Sequence, residues 1–195
     1  MYTWRERKKL RLHWYDYFSN GYYFVTLCTK NRESFLWEII SGISSKSEIG
    51  ILVEQCWANI PEHFPNTKIH DFVIMPNHIH GIIEIFWNDE CTIPKNTIYP
   101  VGNENFRSLQ NDESTDIYFQ TSLSSVIKWF KIGVTKKCRE KGIYDFAWQK
   151  SFYDVIIKNE EQLWAVQKYI IENPLKWEAD RYNETNLNSR KMLSK

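Results

Sequence analysis

The stretch TKIHDFVIMPNHIHGIIEIFW, residues 67–87, has the pattern of two β-strands joined by a tight turn. TKIHDFVIM (67–75) and HIHGIIEIFW (78–87) are rich in β-branched and aromatic residues, which favour strands. Pro76-Asn77 lies between them, and this dipeptide favours a turn. We therefore predict that the two strands pair antiparallel through a short connection.

A strand and a helix are predicted before this pair. YYFVTLCTK (22–30) has strand composition and is followed by a turn at Asn31-Arg32-Glu33. From Ser47, apolar residues recur at helical spacing until Pro65-Asn66, which predicts a helix between them. These apolar residues are Ile49, Leu52, Cys56, Trp57, Ile60 and Phe64.

Three further elements are predicted after the pair. A second amphipathic helix ends at Gly142, and AWQKSFYDVII (147–157) has strand composition. Asn159 is the predicted N-cap of a third helix, with Gln162 completing a capping box and Pro174 setting the end. The apolar face of the second helix consists of Leu123, Val126, Ile127, Phe130, Val134 and Cys138. The order β-α-β-β-α-β-α is typical of an α+β, ferredoxin-like antiparallel sheet with helices packed on one face.

The composition fits one globular domain. Hydrophobic residues make up 43% of the 195 residues, which excludes a disordered, collagenous or repeat-built chain. The sequence contains no run of about 18 apolar residues, so no membrane-spanning helix is predicted. The basic start lacks the apolar segment of a signal peptide. Residues 88–120 lack periodicity, so we interpret them as a variable loop or insertion in a domain of residues 1–177, followed by a tail, 178–195.

The four cysteines are widely spaced and form no CxxC pair. This argues against a zinc ribbon and a disulfide framework, and favours reduced thiols in a cytoplasm.

The net charge of +1 hides two basic blocks. Residues 1–12 hold five basic residues against one acidic, and residues 121–142 hold six against one. Residues 88–120 hold six acidic residues against two basic ones. This distribution is expected if one face of the protein meets a polyanion, although a solvated helix and a loose basic tail would give the same pattern.

His78-Ile79-His80 is the sharpest local feature. Side chains alternate along a strand, so both imidazoles share one face, about 7 Å apart at Cα, while Ile79 faces the core. They could converge on one divalent cation or be ordinary surface histidines. No Cys or His cluster offers further ligands, so carboxylates or carboxamides must complete such a site, which favours Mg²⁺ or Mn²⁺. Glu84 shares the strand parity and could be a ligand or a bystander.

The segment KYIIENPLKW (168–177) places Tyr169 and Asn173 one helical turn apart on the same face. A phenolate is a competent nucleophile toward a phosphate, and a metal beside that phosphate can offset developing charge. A tyrosine at helical spacing is equally compatible with a core or rim position.

Three motifs together resemble those of the REP-associated tyrosine transposases, a branch of the IS200-like, single-tyrosine HUH (His-hydrophobe-His) insertion-sequence transposases. The segment YDYFSNGYYFVTLCTKNRESF (15–35) is also similar, and the resemblance covers roughly residues 5–177. The motifs are MPNHIHGII (75–83), WQKSFYDVII (148–157) and KYIIENPLKW (168–177).

The resemblance implies a metal-dependent, single-stranded DNA endonuclease and strand transferase that cleaves near hairpin DNA. His78 and His80 would bind catalytic Mg²⁺ or Mn²⁺, and Tyr169 would hold the cut strand as a 5′-phosphotyrosine. Asn173 would be the third metal ligand, where insertion-sequence relatives carry a longer Gln. Gln149 is a further polar group that this resemblance brings near the site.

An RRM-like sheet with basic helices suits single-stranded or hairpin DNA, because bases can stack on aromatic rings while Lys and Arg hold phosphates. Trp148 is equally compatible with a core position. Both a monomer and a homodimer stay open, and the expected location is the bacterial cytoplasm, on the nucleoid when bound to DNA. The predicted DNA contacts are Arg5, Arg7, Lys8, Lys9, Arg11, Lys128, Lys131 and Trp148.

Two other functions are considered beside the transposase. One is a catalytically silent protein of the same fold that binds hairpin DNA. The other is a metal-dependent hydrolase of a different phosphodiester, which the lack of a carboxylate cluster disfavours.

Overall fold

The computed structural model describes residues 20–40, 43–86, 121–180 and 183. Two 3₁₀ helices, Lys30–Arg32 and Asn173–Ala179, accompany the main elements. In chain order these are β1 (Gly21–Cys28), β2 (Trp37–Ile40), β3 (Ile43–Lys46), α1 (Glu48–Ala58), α2 (Ile60–His63), β4 (Thr67–Met75), β5 (His78–Ile85), α3 (Leu123–Glu140), β6 (Tyr153–Ile157) and α4 (Glu160–Glu172).

The main sheet has four strands in the order β4-β5-β1-β6, and every neighbouring pair is antiparallel. The predicted hairpin is confirmed: Met75 pairs with His78 across the Pro76-Asn77 turn. A register shift between Ile69 and Phe72 marks an irregularity in β4. Since β1 lies between β5 and β6, its residues connect the histidine strand to the C-terminal part of the chain.

One face of the sheet carries the main core. Alternate residues of β1 and β5 are fully buried there against α1 and α3, as strand pleating requires. The indole of Trp57 on α1 stacks on Phe72 with ring centroids 4.5 Å apart. It also lies directly over Gly81, where a Cβ would come within 2.4 Å of the ring. Gly81 therefore lets α1 approach β5 closely.

The opposite face carries α4 over a second, smaller cluster. Phe24, Ile82, Ile157 and Ile170 are buried in this cluster. The predicted α+β fold with an antiparallel sheet and helices packed on it is confirmed. The helices are not all on one face, because α4 covers the face that α1 and α3 leave open. As predicted, Asn159 caps α4 by accepting a hydrogen bond from the backbone N–H of Gln162 at 2.9 Å.

The predicted strand over 147–157 is wrong in its first half. Trp148 forms only an isolated bridge with Thr29, and regular pairing with β1 resumes at Tyr153 and Thr26. Between these two pairs, β1 advances three residues while the other chain advances five, so the ladder cannot stay in register. The carbonyl groups of Gln149 and Ser151 accept hydrogen bonds from Lys131 Nζ instead, at 2.8 and 3.1 Å.

The sequence prediction also missed the short hairpin of β2 and β3. Trp37 anchors it to the main sheet, because its indole Nε1 donates to the carbonyl of Ile74 at 2.9 Å. The first predicted helix is present but divides at Asn59 into α1 and α2, where Pro61 follows in the first turn of α2. Strands of four residues carry too few alternations to be recognised by periodicity.

Several predictions fall outside the described residues, among them the insertion 88–120 and the basic arm Arg5–Arg11. Among the described residues, Cys28, Cys56 and Cys138 are buried and form no disulfide, and Cys91 belongs to the part that is not described. Within the described ranges, none of the helices combines the length and apolar character needed to cross a membrane.

Candidate active site

The histidine pair stands where the β4–β5 turn enters β5. Ile79 points into the main core, so His78 and His80 point to the face covered by α4, as the strand alternation predicts. Both imidazoles are almost completely buried, with exposed fractions of 0% and 1%. Buried polar rings of this kind need hydrogen-bond partners or a ligand.

A side-chain oxygen holds the Nδ1 atom of each ring. Asn77 Oδ1 lies 2.9 Å from His78 Nδ1, and Asn77 Nδ2 donates to the carbonyl of Arg32 at 2.9 Å. The second bond orients the amide, so its oxygen must accept from His78, which places the His78 proton on Nδ1. Thr26 Oγ1 lies 2.9 Å from His80 Nδ1 on the neighbouring strand. Contacts of this kind orient metal-binding histidines.

The two remaining ring nitrogens converge. His78 Nε2 and His80 Nε2 lie 3.0 Å apart. Asp180 brings a carboxylate to the same place, since its oxygen and the two imidazole nitrogens all lie within 4.8 Å of one another. Asp180 follows the 3₁₀ helix Asn173–Ala179, and its N–H donates to the carbonyl of Trp177 at 3.1 Å. The indole of Trp177 lies beside His78, at 6.1 Å between ring centroids.

Tyr169 on α4 reaches the same point from the other side. Its hydroxyl lies 3.3 Å from His80 Nε2. Phe24 supports both rings: it stacks on His80 at 5.3 Å and meets Tyr169 edge-on at 5.9 Å between centroids. Tyr169 is 43% exposed while the histidines are buried, so part of the Tyr169 residue faces solvent.

Asn173 lies one helical turn beyond Tyr169, at the C-cap of α4. It is 2% exposed, and neither Oδ1 nor Nδ2 has a hydrogen-bond partner within the described part of the chain. A buried amide without partners is costly, by about 1–3 kcal/mol for each group. Such an amide is expected where a bound ion or substrate completes its bonding.

These donors fit a divalent cation. Two imidazole nitrogens, one carboxylate and one nearby carboxamide form a mixed N/O set without thiolates, which suits Mn²⁺ or Mg²⁺ better than a soft metal. The Nδ1 proton on His78 leaves its Nε2 lone pair directed at the convergence point.

Comparison with known proteins places this geometry in context. No protein-family profile matches the chain. An uncharacterised protein of Haemophilus influenzae is 36% identical over 177 residues, which is 90% of this chain and 92% of that protein. A solved REP-associated tyrosine transposase bound to a REP hairpin covers 85% of this chain and 74% of its own, at 19% identity and a TM-score of 0.52.

The chain shares its fold with the solved REP-associated tyrosine transposase. It also belongs to one family with the Haemophilus protein, because the identity extends over almost the whole of both chains. The transposase resemblance drawn from the sequence motifs is thus confirmed at the level of the fold.

The sequence prediction missed three residues of this candidate site. Asp180 lay in the predicted tail, and only the 3₁₀ helix after Pro174 brings it back to the histidines. Thr26 could have been found from strand pairing, because the register sets it opposite His80. Asn77 was recognised as a turn residue, but its bond to His78 depends on the side-chain rotamer.

The other predicted residues lie in different surroundings. Glu84 pairs with His70 at 2.7 Å, four residues along β5 from His80, so its carboxylate lies apart from the candidate metal ligands. Lys128 is exposed on α3, whereas Lys131 reaches the carbonyls of Gln149 and Ser151. Trp148 is half-buried and packs on Phe130 and Phe146, at 5.8 and 5.1 Å between centroids.

Proposed function

We propose that this protein is a metal-dependent endonuclease and strand transferase of single-stranded DNA, acting near hairpins through a covalent tyrosine intermediate. One observation carries the proposal: the Tyr169 hydroxyl lies 3.3 Å from His80 Nε2, which lies 3.0 Å from His78 Nε2. A phenol that could act as nucleophile and two imidazole nitrogens that could bind a metal therefore lie at one place. The shared fold with a transposase that is bound to a REP hairpin supports DNA as the substrate.

The proposed reaction is an in-line exchange at phosphorus. The oxygen of Tyr169 forms a bond to the phosphorus of the scissile phosphodiester while the bond from phosphorus to the 3′ oxygen breaks. The phenol loses its proton to solvent, and the leaving 3′ oxygen gains one and becomes a 3′-OH. The product is a 5′-phosphotyrosine whose phosphodiester retains the bond energy, so a 3′-OH can reseal a strand by the reverse exchange.

His78 and His80 would hold the cation, with Asp180 and Asn173 as oxygen donors. When bound, Mg²⁺ or Mn²⁺ neutralises charge on the phosphate oxygens during the exchange. Asn77 and Thr26 keep the two rings oriented, and Phe24 keeps the Tyr169 ring against His80. The chain thus fixes the nucleophile relative to the two imidazoles before substrate arrives, and such positioning is a main source of rate in reactions of this kind.

The test is a covalent adduct. Purified protein is mixed with end-labelled, single-stranded hairpin DNA and Mn²⁺, then separated under denaturing conditions. We expect an adduct with the parent chain, and none with Tyr169→Phe or after EDTA. Binding of hairpins without any adduct, across several sequences and both metals, would favour the catalytically silent DNA-binding protein instead.

Tyr153→Phe is the matched control. Tyr153 is 43% exposed, like Tyr169, and it pairs with Thr26, so it lies on the same face of the sheet. Loss of the same hydroxyl there should leave the adduct intact. If Tyr153→Phe removed the adduct and Tyr169→Phe did not, the nucleophile would be assigned to the wrong residue.

A further inference from the structure

A groove lies between the C-terminal half of α3 and the segment that follows it. Its volume is about 820 Å³, which is in the range of sites that bind ligands. None of its lining residues belongs to the histidine and tyrosine site. We call it the α3 groove; its basic and aromatic lining residues are Lys131, Lys136, Arg139, Tyr144, Trp148 and Lys150.

The α3 groove is positively charged. Four basic side chains line it against a single acidic one, Glu140, among the described residues. Glu140 neutralises little, since it pairs with Lys136 only at 3.9 Å and both side chains are mostly exposed. Lys128 lies on α3 four residues before Ile132 of the groove, which extends the basic row by one helical turn. A concave surface with this charge attracts a polyanion.

An aromatic ring stands among these cations. Tyr144 is 76% exposed, in the turn that begins where Gly142 ends α3 with a φ of +79°. Ile132 on the facing side is 56% exposed, so the groove also has apolar surface. Exposed aromatic rings with Lys and Arg around them are the features that bind unpaired bases and their phosphates. Paired bases in a duplex offer no free face to such a ring.

The wall of the groove leads to the histidine site. The N–H of Lys30 donates to Ala147 at 2.7 Å, and the N–H of Gln149 donates to Cys28 at 2.9 Å. Cys28 pairs in turn with His78 on β5. The wall segment and the backbone of His78 are therefore two strand spacings apart, about 10 Å, at the same end of the sheet. The groove lies on the α3 face and the His78 side chain on the α4 face, so a strand that contacts both passes around this end of the sheet.

We propose that the α3 groove binds the single-stranded DNA segment beside the cleavage site, with a base on Tyr144 and phosphates on Lys136, Arg139 and Lys150. The inference rests on the proposed function for its substrate class. Trp148 and Lys131 form the floor: Lys131 holds the wall segment through its two carbonyl bonds, and Trp148 fixes that segment to the core.

The test measures binding without chemistry. Full-length Tyr169→Phe protein is titrated with two labelled DNAs, a single strand without secondary structure and a blunt hairpin whose loop is a non-nucleotide linker. Adding Tyr144→Ala should weaken single-strand binding about 10-fold or more, the loss typical of one stacked base, and leave blunt-hairpin binding unchanged. Trp164→Ala is the matched control, because Trp164 is a 65% exposed aromatic on α4, outside the groove.

A charge variant makes the test independent of stacking. Lys136→Ala combined with Arg139→Ala should lower the magnitude of the slope of log affinity against log salt by about 1.4. Each phosphate contact on a single strand contributes about 0.7 to that slope, and the variant removes two. Lys46→Ala, a lysine paired with Glu54 outside the groove, should leave the slope unchanged.

Three results would overturn the inference: no single-strand binding by the parent, unchanged binding with Tyr144→Ala, or equal losses for both DNAs. The last would indicate a duplex surface. The adduct assay distinguishes this failure from that of the proposed function. If the Tyr169 adduct forms but Tyr144→Ala leaves single-strand affinity unchanged, only the groove inference is refuted. If no adduct forms but Tyr144→Ala lowers single-strand affinity, only the proposed chemistry is refuted.

Discussion

The two faces of β5 are equally buried but chemically opposite. Ile79 and Ile83 are 0% exposed on one face, and His78 and His80 are 0% and 1% exposed on the other. The isoleucines contact the apolar main core, whereas each histidine has a side-chain partner at Nδ1 and directs Nε2 toward the other. Burial alone therefore does not separate scaffold from site in this strand; the partners of each side chain do.

The largest effect is expected from truncating one side chain on each of these two faces. His80→Ala should abolish the covalent adduct and change the free energy of unfolding of the metal-free protein much less than Ile79→Ala does. Ile79→Ala should lower that free energy by about 2–5 kcal/mol and leave adduct formation per folded molecule near the parent level. Urea unfolding measures the free energy of unfolding of both variants, and the adduct assay measures their activity. Equal losses of activity in both variants would show that the faces are not separate in function.

Asp180 sharpens the comparison within the histidine face. Asp180→Ala should weaken Mn²⁺ binding at least about 10-fold, the loss commonly seen even for residues that only support a metal ligand. Asp145→Ala, an exposed aspartate in the turn before β6, is the control and should bind Mn²⁺ like the parent. Calorimetric titration measures both. An unchanged affinity for Asp180→Ala would remove this carboxylate from the site.

A substitution of Asn173 should have a smaller effect, and it should raise the free energy of unfolding, whereas Ile79→Ala lowers it. Asn173→Leu removes a buried amide that lacks partners in the described residues, so the metal-free protein should gain about 1–3 kcal/mol in the free energy of unfolding. The same variant should lose part of the stabilisation that Mn²⁺ gives the parent. Thermal unfolding with and without Mn²⁺ tests both. A variant that is destabilised without metal would mean that the amide is satisfied in the folded protein.

The smallest effect is expected from Lys131, on the α3 side of the sheet, and concerns how the free energy of unfolding depends on pH. Burial lowers the pKa of Lys131 from 10.5 to about 8. Between these values the unfolded chain binds more protons than the folded one, so this group makes stability rise with pH across that window. The stability difference between the parent and Lys131→Met should therefore shift in favour of the parent from pH 7.5 to pH 9.5, by urea unfolding. An identical difference at both pH values would contradict the lowered pKa.

The sequence predicts those parts of the fold that depend on periodicity. Alternation in β5 separates Ile79 from the histidine pair, and helical spacing places Asn173 one turn after Tyr169. The contact between Tyr169 and His80 joins two elements 89 residues apart in the chain, so no local pattern contains it. The resemblance to transposase motifs supplied that link.

The remaining differences have tertiary causes. Asp180 reaches the site because the chain turns back after Pro174, and spacing does not encode the direction of that turn. The strand predicted from residue 147 begins at Tyr153, because Lys131 on another element binds carbonyls that a ladder would otherwise use. Local propensity cannot anticipate a competitor that is distant in the sequence.

The most direct measurement of the central claim is a peptide map of the trapped adduct. The parent chain is incubated with labelled hairpin DNA and Mn²⁺, the DNA and protein are digested, and the nucleotide-bearing peptide is sequenced by mass spectrometry. We expect a single modified residue, Tyr169, linked to a 5′-phosphate. A nucleotide on Tyr153 or any other residue, or cleaved DNA without a protein-linked nucleotide, would contradict it.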